Sequence, residues 1–100
     1  MSELERVVGE ISAAVAAAGS DLDEIERRLT DGYAHALELE AERSRLEKRL
    51  SEAVHRGAAG NGAELSSLAA RLDGATGDLA RLRGALADLR RHADAVRAAS

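Results

Sequence analysis

The sequence predicts an all-α fold, an antiparallel coiled-coil helical hairpin preceded by a short N-terminal helix that completes a helix bundle. Apolar residues recur at alternating steps of three and four through two long segments, which is the spacing of a coiled coil. The 100-residue chain contains 22 alanines, 14 leucines and no proline, a composition that favours long helices. Three of its nine glycines, Gly57, Gly60 and Gly62, lie between the two segments and predict the turn.

Each predicted helix begins with a capping pattern, in which Ser or Asn is followed three residues later by an acid. The pairs are Ser2 with Glu5, Ser20 with Asp23, and Asn61 with Glu64. We therefore expect helices over about 3–18, 21–56 and 62–99. They form one domain, 1–100, which consists of an N-terminal helix (1–19), hairpin helix A (20–56), a glycine-rich turn (57–61) and hairpin helix B (62–100).

The N-terminal helix carries an apolar stripe that the hairpin alone does not bury. The stripe contains Leu4, Val8, Ile11 and Val15. If the chain turns back after this helix, we expect Ile11 to lie near Leu29, and Leu4 to cover Tyr33 and Leu37. If the helix instead continues straight into hairpin helix A, its stripe needs a second subunit or another protein. The sequence leaves both arrangements open.

Folding the hairpin at its glycine-rich turn opposes two apolar seams, the residues at which the long helices face each other. Small seam residues then meet larger ones, and Gly32, for example, faces Leu89. Along one edge the same register pairs Glu26 with Arg97 and Glu40 with Arg83, and it places Tyr33 opposite Arg90, within reach of a cation–π contact. Arg43 is the one charged residue of the seam, and we expect its side chain to reach Glu47.

Charge and composition argue against several classes of function. A net charge of −4 argues against nucleic-acid binding, which requires a basic face. No segment has the continuous apolar length of a membrane span, and the net acidic N-terminal helix opposes binding to an anionic membrane surface. The acidic start "MSELERVVGE" does not have the basic region of a signal peptide, so we expect a cytoplasmic protein.

The residues that carry chemistry do not form a recognisable site. His35 and His92 flank the seam, His55 lies beside the turn, and the chain contains no cysteine. The turn "GAAGNG" lacks the lysine, the Ser or Thr and the preceding strand that a phosphate-binding loop requires. We therefore predict no catalytic residues, no cofactor and no metal.

The predicted protein-interaction residues lie on two surfaces. One consists of apolar residues that need a partner if the N-terminal helix opens, namely Leu4, Val8, Ile11, Val15, Tyr33 and Leu37. The other is a stripe of small residues on the outer face of hairpin helix B, which includes Gly77 and Gly84. A glycine inside a helix costs about 1 kcal/mol relative to alanine, and close approach of another helix would compensate for this cost. The alternative is that these are tolerated surface glycines.

Two families of small helical hairpins provide a comparison. The segment "IERRLTDG" resembles part of the hairpin anti-sigma factors that bind cyclic di-GMP. Their Glu-x3-Ser-x2-Arg-x3-Gln-x3-Asp motif is absent, however, since the chain contains no glutamine. The hairpin proteins of type VII secretion have a Trp-x-Gly turn, and this chain contains no tryptophan. We therefore assign neither family.

These observations predict a non-enzymatic coiled-coil module that acts by association of helices. We expect its partner to be a second copy of the chain, giving a homodimer, or an amphipathic helix of another protein. The alternative is a small regulatory adaptor or chaperone, anti-sigma-like or secretion-associated, that binds a client protein. The sequence also leaves open a small-molecule ligand at a dimer interface.

Overall fold

The computed structural model of the chain describes residues 2–16, 21–57 and 62–99, which form three α-helices. Helix α1 spans Glu3–Ala16, α2 spans Leu22–His55 and α3 spans Gly62–Ala99. The two long helices pack against each other, and α1 packs against both. This arrangement confirms the predicted all-α hairpin with a short N-terminal helix. Residues 17 and 18 of the first predicted helix lie outside the described residues.

Local hydrogen bonds account for the starts of α1 and α2. The Ser2 hydroxyl accepts a hydrogen bond from the Glu5 backbone N–H at 3.1 Å, which confirms the first predicted cap. At the start of α2 the capping residue is Asp21, whose Oδ1 accepts from the Asp23 backbone N–H at 3.0 Å. The other two predicted caps, Ser20 and Asn61, lie outside the described residues.

The end of α2 depends on the first glycine of the turn. Gly57 has a φ of 75°, a left-handed conformation that residues with a side chain rarely adopt. Its N–H donates to the Val54 carbonyl at 3.2 Å, and the N–H of Arg56 donates to the Glu52 carbonyl at 3.0 Å. These bonds satisfy two of the last carbonyls of the helix, at the point where the chain leaves α2.

Three contacts between α2 and α3 define the register of the hairpin. Arg97 donates to Glu26 at 2.8 Å, Arg90 donates to the Tyr33 hydroxyl at 3.3 Å, and Arg83 pairs with Glu40. Successive contacts are seven residues apart on each helix, as a coiled coil requires. The three predicted edge pairs are therefore confirmed. The contact of Tyr33 with Arg90 is a hydrogen bond to its hydroxyl group.

The core lies along the seam in two apolar clusters. The cluster nearer the turn contains Leu46, Ala53, Leu68 and Ala75. The cluster at the open end of the hairpin contains Leu4, Ile11, Ile25, Ala36, Leu79, Leu82, Leu86, Leu89 and Ala93. Between them on α2 is Arg43, whose Nε is buried 3.5 Å from a carboxylate oxygen of Glu47. The predicted ion pair thus occupies the point where the apolar core is interrupted.

Helix α1 folds back along one flank of the hairpin. Its Leu4 and Ile11 side chains are only 7% and 1% exposed and belong to the core cluster at the open end. An ion pair joins α1 to α2, with Arg28 donating to Glu10 at 2.8 Å. Of the two arrangements that the sequence allows, the structure therefore has the folded-back helix, and α1 completes a three-helix bundle.

The contacts of α1 differ from the prediction in one respect. We expected Leu4 to cover Tyr33 and Leu37, but these side chains are 41% and 66% exposed. Helix α1 lies beside Arg28 and His35, on the opposite flank of α2. The prediction placed the helix on the wrong flank. A short apolar stripe can pack against either side of a hairpin seam, because the hydrophobic effect is non-directional and does not favour one side.

Gly32 is the residue of α2 at which all three helices meet. A Cβ atom at this position would clash with the Leu86 side chain of α3, and it would lie 3.2 Å from Ile11 Cδ1 of α1. The sequence predicted Leu89 as the partner of Gly32, whereas the nearest atoms belong to Leu86, which is one turn away along α3. The missing side chain therefore allows close approach of both neighbouring helices.

We predict that Gly32→Ala and Gly74→Ala have opposite effects on stability. Gly74 has no other side chain within 4 Å of its Cβ position, so alanine there should increase the free energy of unfolding by about 1 kcal/mol. At Gly32 the same gain in helix propensity is opposed by overpacking, which costs about 1–3 kcal/mol. Urea unfolding of both variants measures the difference. Equal stabilisation by the two substitutions would contradict the three-helix contact at Gly32.

Candidate functional site

The hairpin has two flanks along its seam, and α1 covers only one of them. The opposite flank contains a surface groove, here called the open groove. Its residues are Tyr33, Ala36, Leu37 and Glu40 of α2 and Arg83, Leu86, Ala87 and Arg90 of α3. Each helix contributes residues three and four positions apart, which lie on one face of a helix. The coiled-coil register then brings the two faces together as the walls of one groove.

The floor and the walls of the open groove differ in burial. Ala36 and Leu86 form the floor and are only 7% and 2% exposed, because they also belong to the hairpin core. Leu37 and Tyr33 form the α2 wall and remain exposed. The α3 wall is lower at Ala87, because alanine has only a methyl side chain. The groove therefore presents an apolar surface with two large side chains on one side only.

Two polar contacts between the helices bound the groove at its ends. Arg90 donates to the Tyr33 hydroxyl at one end, and Arg83 pairs with Glu40 at the other. These contacts are one heptad apart, which corresponds to about 10 Å along a helix. The interval accommodates one or two apolar side chains of a partner. The hydrogen bond from Arg90 also satisfies the polar end of Tyr33 and leaves its ring available for apolar contact.

The walls of the open groove carry opposite charge. Arg83, Arg90 and Arg97 follow the edge of α3 at heptad intervals, and Glu26 and Glu40 follow the facing edge of α2. The side chains of these ion pairs are between about one third and one half exposed, so the pairs stabilise the hairpin weakly. They remain accessible to charges on a partner.

The α1 flank is polar at its surface, and several of its charged side chains are paired with one another. Arg6 and Arg28 both contact Glu10, at 3.0 and 2.8 Å, and Arg28 also contacts Glu24 at 3.0 Å. His35 lies at the same flank, 3.9 Å from Glu38. In the part of the chain that the structure describes, no group of three or more His, Asp or Glu side chains is arranged to hold a metal ion.

The predicted interaction residues are divided among three locations. Leu4 and Ile11 lie in the core, and Val8 and Val15 are half-buried against it. Tyr33 and Leu37 lie together in the open groove. Gly77 and Gly84 are exposed on α3, and their Cβ positions have no other side chain within 4 Å. The stripe of α1 thus packs against the hairpin, whereas no described residue of the chain buries Tyr33 or Leu37.

Sequence reasoning did not identify the floor of the groove. Ala36 and Leu86 lie at seam positions of the heptad pattern and Ala87 is a small residue of hairpin helix B, so nothing in the sequence marks them as part of a site. The sequence offered one weak signal for the groove, the opposite charges of Glu10 and Arg28, which form an ion pair on the flank that α1 covers. Tyr33 and Leu37 lie on the other flank.

No protein-family model, curated protein or solved structure matches the chain. Within the described ranges, none of the helices has the length and apolar character needed to cross a membrane. The arguments about function therefore depend on the residues and their geometry.

We predict that the same substitution has different effects on the floor and on the wall of the groove. Leu86→Ala should reduce the free energy of unfolding by about 2–5 kcal/mol, because it leaves a cavity in the core. Leu37→Ala should change it by no more than about 0.5 kcal/mol, since the Leu37 side chain is 66% exposed. Urea unfolding at the lowest practical protein concentration measures both. A loss above about 1 kcal/mol for Leu37→Ala would show that the chain itself buries this side chain.

Proposed function

We propose that this protein is a non-enzymatic interaction module and that its open groove binds an amphipathic helix. The observation that carries the proposal is the exposure of Leu37, at 66%, and of Tyr33, at 41%, beside a buried apolar floor. Single exposed apolar side chains are common on protein surfaces. Two adjacent ones that line a groove between helices are typical of a docking site for a third helix.

The packing of α1 supports this mode of binding. On its own flank α1 presents Leu4 and Ile11, seven residues apart, to the hairpin, and both side chains become buried. A helix in the open groove would make the equivalent contact on the other flank. Burying one leucine side chain contributes about 1.5–3 kcal/mol. A partner helix that buries two or three such side chains in the groove would therefore bind weakly or moderately, because association itself costs free energy.

The charges of the groove favour a partner with both signs of charge. The α3 wall is basic and the α2 wall is acidic, so a helix with acids along one edge and bases along the other matches both. A regulatory adaptor or chaperone that buries a client helix would use the same contacts. The groove thus supports association of helices as the shared mechanism of both functions that the sequence predicts.

Tyr33 provides a direct test, because it is the only aromatic residue of the chain. We predict that its fluorescence changes on titration with a synthetic helical peptide that has leucines at i, i+3, i+4 and i+7. The peptide should lack aromatic residues and have balanced Glu and Lys on its other faces. We expect weak but saturable binding with a dissociation constant of about 0.1–1 mM, which corresponds to roughly −4 to −5.5 kcal/mol.

Two variants that add the same charge to α2 provide the control. Leu37→Arg should abolish the fluorescence response, since it places a cation in the groove beside Arg83 and Arg90. Ala41→Arg should preserve the response, because Ala41 is exposed outside the groove. At protein concentrations at which the chain is monomeric, a peptide that fails to change Tyr33 fluorescence, or that binds the Leu37→Arg variant equally well, would rule out the open groove as a helix-binding site.

A further inference from the structure

We infer that the occupant of the open groove is a second copy of this chain. This inference rests on the proposed function and names its partner. In the dimer, the two-fold axis runs parallel to the helices through the facing grooves, so that α2 of each copy lies antiparallel on α3 of the other. Each copy keeps its own α1 on the opposite flank, which gives an assembly of six helices.

The first argument is the complementarity of side-chain size. Among the described residues, the large apolar side chains that are exposed are Tyr33, Leu37 and Val54, and all three belong to α2. The facing edge of α3 has small, exposed residues opposite Leu37 and Val54, namely Ala87 and Ala69, and it has Arg90 opposite Tyr33. A two-fold interface brings one surface against a copy of itself, so a surface with large residues on one helix and small residues on the other can match itself.

The second argument is register. Height here means position along the helix axes. A two-fold axis parallel to the helices leaves this position unchanged, so it brings residues at equal height in the two copies into contact. Leu37 and Ala87 line the same groove in one copy, so Leu37 of each copy meets Ala87 of the other. Val54 is two heptads beyond Glu40, and Ala69 is two heptads before Arg83, the partner of Glu40. Val54 of each copy therefore meets Ala69 of the other.

The third argument is electrostatic. Residues 21–42, which contain the first half of α2, have eight acids and two arginines, whereas residues 81–100 of α3 have five arginines and two aspartates. An axis perpendicular to the helices would place α2 on an antiparallel copy of α2, and Glu40, at the centre of the face, would then meet Glu40 of the other copy, which is unfavourable. The parallel axis places α2 on α3. Glu26 and Glu40 of one copy then face Arg97 and Arg83 of the other.

The available area is sufficient for a stable dimer. The face extends from Glu26 to Val54, which corresponds to a length of about 42 Å along α2. Two helices side by side are about 20 Å wide, so the face covers roughly 800 Å², the typical contribution of one partner to a stable protein–protein interface.

The oligomeric state tests the inference. We predict that light scattering after size exclusion, over a hundredfold range of concentration, shows a reversible dimer of the wild-type chain. Leu37→Arg should raise the dimer dissociation constant roughly 100-fold, because each dimer contains two such contacts and the new cation faces Arg83 and Arg90 of the other copy. Ala41→Arg should leave the constant within about twofold, since Ala41 lies outside the interface.

Thiol cross-linking tests the geometry, because the chain has no cysteine of its own. A mixture of Leu37→Cys and Ala87→Cys chains, treated with a short bismaleimide, should give a covalent heterodimer in high yield. Each variant alone should give little product, since the parallel axis places Leu37 against Ala87 and not against a second Leu37. Efficient cross-linking of Leu37→Cys to itself would support the perpendicular axis and overturn the inference.

The results also separate this inference from the proposed function. A wild-type monomer at every concentration would overturn the dimer. If the synthetic peptide still changes Tyr33 fluorescence in that monomer, the groove binds helices of another protein and the proposed function stands. If the chain is monomeric and the peptide has no effect, both are wrong. A dimer whose dissociation constant is the same for Leu37→Arg as for the wild type would place the interface elsewhere and overturn the dimer proposed here.

Discussion

The close approach of three helices at Gly32 is the constraint on which the rest of the structure depends. Leu86 of α3 and Ile11 of α1 both occupy space beside Gly32 that a side chain on α2 would fill. Leu86 and Ile11 are almost completely buried, so the contact joins the α1 helix to the seam of the hairpin. A larger residue at this position would push α1 or α3 outward and weaken the core at the open end of the hairpin.

The position of α1 in turn determines which surface of the hairpin is available. A two-helix seam has two equivalent flanks, and a single short helix can cover only one of them. Helix α1 lies on the Arg28 flank, where Glu10 pairs with Arg28, and the flank with Tyr33 and Leu37 remains open. The same packing that stabilises the fold therefore creates the candidate site.

Heptad spacing was sufficient to predict the hairpin and its register, because a seam pairs correctly only when many layers agree at once. The contacts of Glu26, Tyr33 and Glu40 with three arginines of α3 confirm it. The flank occupied by α1 was predicted wrongly. An apolar stripe has no preferred side, and one partly exposed ion pair such as Glu10–Arg28 contributes only about 0–1 kcal/mol. Tyr33 and Leu37 were therefore expected under α1, although both belong to the open groove.

The shape of the open groove favours a helix over a small molecule as its occupant. Small-molecule sites are concave and enclose most of the ligand surface. Here the groove lies between two helices whose axes are about 10 Å apart, and it is open to solvent on its outer side. A helix makes its contacts along that length, with side chains three, four and seven residues apart entering the groove in succession. Leu37 and Tyr33 on one wall, with Ala87 opposite, leave space for those side chains on the α3 side.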